Sequence, residues 1–592
     1  MTARRSSIPV AKVIWALVRN QPIRYSVSLL AFTTLWTMPI VAGLIAAAFF
    51  DSLTDQGAGV NMVTIVVAMW AWALARIAVL FVAMRTHSSV LFRAGASMRG
   101  NMLAWIYSLP GAQGVAESPG EVVSRFRDDV EHTLEAYDFT VDLIGSSLSA
   151  IVGFIVLFLI DPFITMIVLT PLLLIIIVVS RTGTVIRRYR TAARDSTEAI
   201  TGFLGETLAS VQSVKVAGAE GSMLSRFDRL NHERRKMMVR DRTLTAGLEA
   251  VFFNAVSIGT GLILLLAAGS LETTGSAGIT IGQFALFVFV LEMVTESAYF
   301  IGLFLARFKQ AGVSLERMVA LARGATWRDL VIRRDLTMEP EPTKQPDGIP
   351  VQLERLEVRG LSFSYNGNGA AIRDIDLDIG RGEFVVVTGK IGSGKTTLLR
   401  AILGLVPTDG GSISWNGVPV AEPAAAMVPP RAAYTPQVPR LFSMTLGDNV
   451  LLGMNAAEAA TRDALATAMM GSDLEAMPDG LETMVGPKGV RLSGGQIQRT
   501  ATARMLVRLP QLLVFDDLSS ALDVETEADL WERLFSQQGE ATALVVSHRR
   551  PAMVRADRII VLEAGTVVAS GTADELRESS EEFRRLWASQ QS

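Results

Sequence analysis

Six apolar runs, each close to the length that crosses a bilayer as a helix, constrain the fold of this sequence more than any other feature: residues 27–50, 62–82, 143–160, 163–180, 250–271 and 281–304. A spanning helix needs about 20 residues, and it must satisfy every backbone N–H and C=O internally, because no water reaches them there. One such run could be a buried helix of a soluble protein. Six of them before residue 305 read as a membrane domain, in keeping with a mean hydropathy of +0.35. Only Asp161 and Pro162 separate the third run from the fourth, so the chain turns tightly there. The first run is too long for a cleaved leader, follows an amphipathic stretch and lacks a small-residue cleavage site.

The distribution of Lys and Arg predicts the orientation, since basic residues in short loops near helix ends stay on the cytoplasmic side. Residues 181–249 carry Arg187, Arg188, Arg190, Arg234, Arg235 and Lys236, and residues 85–142 carry Arg85, Arg93, Arg99, Arg125 and Arg127. The opposite loops, 51–59, 161–162 and 272–280, carry none. Both termini are therefore expected in the cytoplasm, with the protein embedded as a multi-pass chain in a bacterial inner or plasma membrane. The two basic segments are too long for simple loops. They read as helices that run on from the membrane, turn and return, long enough to reach a cytoplasmic domain.

A chain of 592 residues also exceeds what one core usually organises. A polar, proline-rich stretch, "MEPEPTKQPDGIP", follows the last span, and a soluble α/β pattern starts near Val351. The expected division is a transmembrane domain over 1–322, a linker over 323–350 and a second domain over 351–592. No short-period repeat points to a solenoid. A net charge of −3 gives no sign of a nucleic-acid partner, and the absence of cysteine excludes disulfides, thiolate metal sites and cysteine nucleophiles.

The second domain carries the chemistry. The apolar strand "FVVVTG" runs directly into "GKIGSGKTTLLRAIL", a strand, glycine-rich loop and helix in the setting of a phosphate-binding loop. Gly389, Gly392 and Gly394 let backbone N–H groups close around phosphate oxygens, with Lys390, Ile391 and Ser393 completing the loop. Lys395 supplies a positive charge to the β and γ phosphates, Thr396 offers its hydroxyl to Mg²⁺, and Thr397 continues the helix whose N-terminal dipole faces the anion. Further on, "QLLVFDDLSSALD" is a hydrophobic strand ending in two acids. Asp516 is placed to hold Mg²⁺ through water and Asp517 to orient an attacking water. Between the two motifs lies "LSGGQ", Leu492, Ser493, Gly494, Gly495 and Gln496.

With that pentapeptide between the two nucleotide motifs, the sequence resembles the ABC ATPases, and the resemblance implies further residues. Tyr365 in "LSFSY" corresponds to the adenine-stacking aromatic, and Gln437 in "YTPQVPRLFS" to the glutamine that senses Mg²⁺ and the membrane domain. His548 in "LVVSH" corresponds to the switch histidine at the γ-phosphate, and residues 519–523 to the D-loop. The family also implies that two such domains pack head to tail, so that Ser493, Gly494 and Gly495 of one chain face the ATP of another and hydrolysis requires a dimer.

In the membrane half, "SPGEVVSRFRDDV" and "GETLASVQSVKVAGAE" resemble the intracellular loops of exporter-type ABC transporters. The implied fold is a membrane all-α six-helix domain followed by an α/β P-loop ABC ATPase domain. The implied activity is ATP-driven export of a small molecule, lipid or peptide. An importer of the same fold, or a nucleotide-gated membrane gate with slow hydrolysis, are the alternatives.

Two departures from the family pattern matter. Most active members carry glutamate where this chain has Asp517, shorter by one methylene, and a misplacement of about 1 Å can cost roughly a hundredfold in rate. Either the chain is the degenerate half of a heterodimer, which the intact LSGGQ favours, or Asp517 serves in a slower homodimer. The sequence before the signature, "GPKGVRLSGG", also lacks the usual acid and arginine. For the cargo, Glu292 and Glu296 share one face of the sixth run, and intramembrane acids are costly unless they serve a function. They favour a cationic or amphipathic cargo, or else they pair with Arg76 in the second run.

Overall fold

The structure, a computed structural model, describes residues 8–53, 61–109, 119–254, 257–262, 264–265, 280–321, 325–334, 349–365, 370–486, 489, 492–518, 524–537 and 541–588. The chain divides into two compact units, Met1–Trp105 with Ala116–Thr337, and Ile106–Val115 with Met338–Ser592.

The first unit is helical. A short amphipathic helix, α1 (Val10–Asn20), buries Val10, Val13, Ile14 and Leu17, the i, i+3, i+4, i+7 face, and leaves Trp15 on the other side. Pro22 then opens α2 (Pro22–Leu53), followed by α3 (Met62–Ser108), α4 (Pro119–Ser124), a π-helical turn (Arg125–Asp129) and α5 (Val130–Ile160). The Asp161–Pro162 turn takes a form that its residues dictate. Asp161 leaves the helical region, its carboxylate accepts from the Ile164 amide at 3.0 Å, and proline takes the first position of α6 (Pro162–Ala209), where its missing N–H costs nothing. The chain returns through α7 (Val211–Val216) and α8 (Glu220–Phe253), and then through α9 (Ile281–Ala320), which opens on a capping box of Thr280 with Gln283.

Helix α3 is 47 residues long and α6 is 48, about 70 Å at a rise of about 1.5 Å per residue. That is far more than a bilayer core, so the helices run on beyond it. Among the described residues four helical segments are long and apolar enough to cross a membrane, Pro22–Leu53, Met62–Ser108, Pro119–Ile160 and Ile281–Ala320. The fourth apolar run lies in α6, and much of the fifth, 250–271, falls outside the described residues. Helices α2, α5 and α9 meet around Ile40, Leu157, Phe287, Val290 and Leu291. They approach so closely that a Cβ on Gly153 would lie 2.7 Å from the Met293 methyl and 2.9 Å from Val290. Small residues at such points replace the hydrophobic driving force that lipid does not supply.

The second unit is α/β. Strands β1 (Arg355–Ser364), β2 (Ala370–Gly380), β4 (Gly410–Trp415) and β5 (Val418–Pro419) form an antiparallel sheet in the order β2-β1-β4-β5. The other sheet runs β10-β9-β3-β8-β7-β6, built from β3 (Phe384–Thr388), β6 (Ala432–Thr435), β7 (Leu512–Asp516), β8 (Thr542–Val546), β9 (Arg558–Glu563) and β10 (Thr566–Gly571). It is parallel except for β10. β3 is buried along its whole length, with Phe384 and Val386 in one hydrophobic core and Val385 and Val387 in the other. That accounts for the unbroken apolar run: a parallel strand covered on both faces has no polar side to show.

Candidate functional site

The parallel order places the phosphate loop, Asp516, Gln437 and His548 at one edge of that sheet. Gly389 follows β3, Asp516 ends β7, Gln437 follows β6 by two residues, and His548 follows β8 by two. In open α/β sheets ligands bind outside the carboxyl ends of the strands, and here the ends of four strands converge.

The phosphate loop owes its shape to glycine. Gly389, Gly392 and Gly394 have φ of 145°, 83° and 101°, all in regions that side-chain-bearing residues avoid. A Cβ on Gly389 would sit 2.1 Å from the Leu562 carbonyl oxygen, and one on Gly394 2.4 Å from that of Ala371, so the loop backbone lies against β9 of its own sheet and β2 of the other. Gly394 is the N-cap of α10 (Lys395–Ile402). Lys395 curls back, its Nζ donating to the Gly389 and Lys390 carbonyls at 2.8 Å each. Burial lowers its pKa, and Asp517 and Asp516 oppose that shift. Thr397 is buried, whereas Ile391 is 99% exposed at the tip. Lys390 is tied to the C-terminal helix by an ion pair with Glu582 at 2.9 Å, a tether the motif does not reveal.

Asp516, 1% exposed, is held at both oxygens: Thr396 Oγ1 donates to Oδ1 at 2.9 Å and Tyr434 OH to Oδ2 at 3.1 Å. Burial raises its pKa, and these two donors, with Arg400, pull it back. Sequence reasoning missed Tyr434. The available signal was its position, since β6 pairs with β7 and Tyr434 stands opposite Val514, two residues before Asp516. The carboxylate of Asp517 accepts from Gln437 Nε2 at 2.9 Å, and its backbone is left-handed, φ 53°, a conformation aspartate tolerates better than most residues. The pKa of His548 is lowered by burial and then by the Lys395 charge, against a smaller pull from Asp517, so the imidazole is neutral near pH 7.

Ser493 is the N-cap of α11 (Gly494–Leu506), accepting from the Gln496 amide at 3.3 Å, with Gln496 returning the bond to the Ser493 N–H at 2.9 Å. Gly494 and Gly495 form the first turn, and Gln496 Nε2 also donates to Asp473 at 2.7 Å. Leu492 packs partly buried beside the core. Among the described residues no hydrogen bond joins residues 492–496 to residues 389–397. One turn later, Gln498 Nε2 donates to the Gln437 carbonyl at 3.0 Å, which ties the signature helix to the glutamine loop. Tyr365 is about half exposed and rests edge-on against Phe363, ring centroids 4.8 Å apart. The D-loop expected at 519–523 lies outside the described residues.

The first unit holds a cavity of about 630 Å³ between α2, α3, α5 and α9, lined by Phe32, Trp36, Arg76, Asp142, Glu292 and Glu296 among others. Glu292, Glu296 and Arg76 thus line the same cavity. Among the described residues neither forms an ion pair with it, and Arg76 lies over the Trp72 ring at 5.6 Å. Asp142, which sequence reasoning did not single out, accepts from Trp36 Nε1 at 2.9 Å.

Fold and site define a class: a nucleotide-binding P-loop ATPase unit joined in one chain to a helical membrane unit. Comparison with known proteins gives the family. Residues 26–297 match the ABC transporter transmembrane region and residues 372–520 the ABC transporter family proper, so the chain belongs to the ABC transporters. It is 28% identical over 479 residues to a probable multidrug resistance ABC transporter ATP-binding/permease protein of Bacillus subtilis, covering 80% of this chain and 79% of that one. It is 32% identical over 408 residues to an ATP-dependent lipid A-core flippase of Burkholderia orbicola, covering 67% and 64%. The solved structure of a bacterial Atm1-family ABC exporter with ATP bound shares the fold, with a TM-score of 0.68 at 21% identity over 98% of each chain. The protein is an integral membrane protein in which ATP hydrolysis drives export.

Proposed function

We propose that this chain is one half of a dimeric exporter that moves an amphipathic, positively charged small molecule out of the cytoplasm, with both termini cytoplasmic. The cavity in the first unit carries the reading. Three carboxylates and one guanidinium stand among aromatic rings, so the lining offers a cation both a net negative field and π faces. In the second unit Tyr365 would stack the adenine, and backbone N–H groups of residues 389–397 would cradle the phosphates. Lys395 would exchange its two carbonyl partners for β and γ oxygens. The donor set fits Mg²⁺: Thr396 Oγ1, Asp516 and Gln437 are oxygen ligands gathered at one edge, and the ion, when bound, supplies positive charge to the phosphates. Asp517 orients the attacking water while Gln437 fixes its carboxylate, and neutral His548 accepts or relays a proton beside the γ-phosphate. Ser493, Gly494 and Gly495 complete the site of a second chain.

A heterodimer is favoured over a homodimer, because the shortened Asp517 stands beside an intact signature that can serve a partner's glutamate. Transport in proteoliposomes tests the cargo assignment. Made in the Asp517→Glu background, Glu292→Gln with Glu296→Gln should cut uptake of cationic amphipaths and leave ATPase unchanged, and undiminished uptake would discard it.

A further inference from the structure

A second concave site lies in the first unit, away from the cargo cavity. A pocket of about 460 Å³ is lined by Arg24, Arg93, Arg333 and Arg334, with Gln21 and Ile23 beside them. The arginines reach it from three distant stretches of chain. Arg24 stands at the start of α2, just past the Asn20–Gln21 break after α1, and Arg93 lies on α3. Arg333 and Arg334 follow the short helix Trp327–Leu330 and are delivered by two asparagines. Asn101 Nδ2 donates to the Leu330 carbonyl at 3.0 Å and the Ile332 carbonyl at 2.7 Å, and Asn20 Nδ2 donates to the Val331 carbonyl at 2.8 Å. Basic residues scattered along a cytoplasmic face would mark topology alone. These four are gathered, and their segment is pinned from both sides.

Among the described residues no carboxylate lines the pocket or forms an ion pair with any of the four. Gln21, also on the lining, is held in place by its amide donating to the Val90 carbonyl at 3.2 Å. Guanidinium forks match phosphate oxygens in pairs. Apolar side chains accompany them: Ile23, on the pocket lining, is 79% exposed, and Phe92, the residue before Arg93 on α3, is 75% exposed. Exposed aliphatic and aromatic side chains next to arginines, at the entry to the first span, are the composition of the boundary between headgroups and acyl chains.

We propose that this pocket binds the phosphate of an anionic phospholipid from the cytoplasmic leaflet, with the acyl chains against Ile23 and Phe92. A soluble phosphate shares the headgroup chemistry but has no use for these apolar side chains. The site is separate from the cargo cavity and does not rest on the cargo assignment.

The test uses the full chain in neutral detergent, with native mass spectrometry counting bound phosphatidylglycerol against phosphatidylcholine of the same acyl chains. Wild-type protein should retain phosphatidylglycerol preferentially. Each arginine changed to glutamine should lower that preference roughly fivefold, while Arg→Lys should keep most of it. ATPase of the same variants made in the Asp517→Glu background, in phosphatidylcholine nanodiscs, should not change, since none of the four touches the nucleotide unit's site. The single variants Arg24→Gln and Arg334→Gln, both at exposed positions, keep the test readable should the fourfold variant fail to fold. Equal retention of the two lipids by wild type, or an undiminished preference in the variants, would overturn the proposal. Displacement of phosphatidylglycerol by millimolar inorganic phosphate would assign the pocket to a soluble anion and overturn the lipid.

Discussion

Alanine at the three phosphate-loop glycines should have graded and separable effects, because the space around them differs. At Gly392 a Cβ meets nothing within 4 Å, so Gly392→Ala costs only the strain of φ 83°, about 1 to 2 kcal/mol for a left-handed residue. At Gly394 the Cβ would lie 2.4 Å from the Ala371 carbonyl oxygen and 3.0 Å from Ile372 Cγ2, and at Gly389 2.1 Å from the Leu562 carbonyl oxygen. Neither oxygen can yield cheaply. Ala371 belongs to β2, and Leu562 is held in the ladder opposite Val567. Overpacking of this kind adds about 1 to 3 kcal/mol to the backbone strain, for a total of about 2 to 5 kcal/mol. That is a large part of the 5 to 15 kcal/mol, roughly, that holds a domain together. Thermal unfolding of the full chain without nucleotide, read by proteolysis within residues 372–520, measures this directly. Gly389→Ala and Gly394→Ala should unfold well below wild type, with Gly392→Ala a few degrees lower at most. An unchanged midpoint for Gly394→Ala, or equal damage from Gly392→Ala, would refute the steric argument.

Thr396→Val removes one of the two donors that hold Asp516. A hydrogen bond to a charged group contributes about 1.5 to 3 kcal/mol, so in the Asp517→Glu background the Mg²⁺ concentration for half-maximal ATPase should rise tenfold or more, and an unchanged Mg²⁺ titration would contradict the assignment. His548 bears on pH. Its folded-state pKa lies below the ordinary 6.5, so the unfolded chain takes up a proton first as pH falls through 6.5, and stability is lost on that acid side. In the Asp517→Glu background the acid limb of the ATPase profile should therefore fall below pH 6.5 and change in His548→Gln, and a limb unmoved by that substitution would detach it from His548.

Local pattern made some of this chain legible. The phosphate loop, the paired acids of β7 and the Asp161–Pro162 turn are short motifs in which the residue types and their order determine the geometry by themselves. The supports of the site were not legible in the same way. Tyr434 reaches Asp516 only because β6 pairs in register with β7, and Gln498 reaches Gln437 only because α11 packs beneath that loop. Asp142 carries no motif of its own and is placed only by α2, whose Trp36 donates to it, and by the cavity it shares with α9. The arginine pocket is the extreme case. Its anchor joins Asn20 to Val331 across 311 residues, and no periodicity in a single stretch records such a meeting.

The central claim is that this chain is one half of an exporter whose competent hydrolysis site takes its carboxylate from a partner chain, because Asp517 stands where glutamate is usual. Mg²⁺-dependent ATPase of the purified chain alone in nanodiscs, beside Lys395→Ala and Asp517→Glu, tests it most directly. The account predicts wild-type activity near the Lys395→Ala background and a clear gain in Asp517→Glu, as expected of a subunit whose native partner supplies the longer carboxylate. Wild-type activity well above that background, with no gain from glutamate, would contradict it and leave Asp517 as a competent residue in a homodimer.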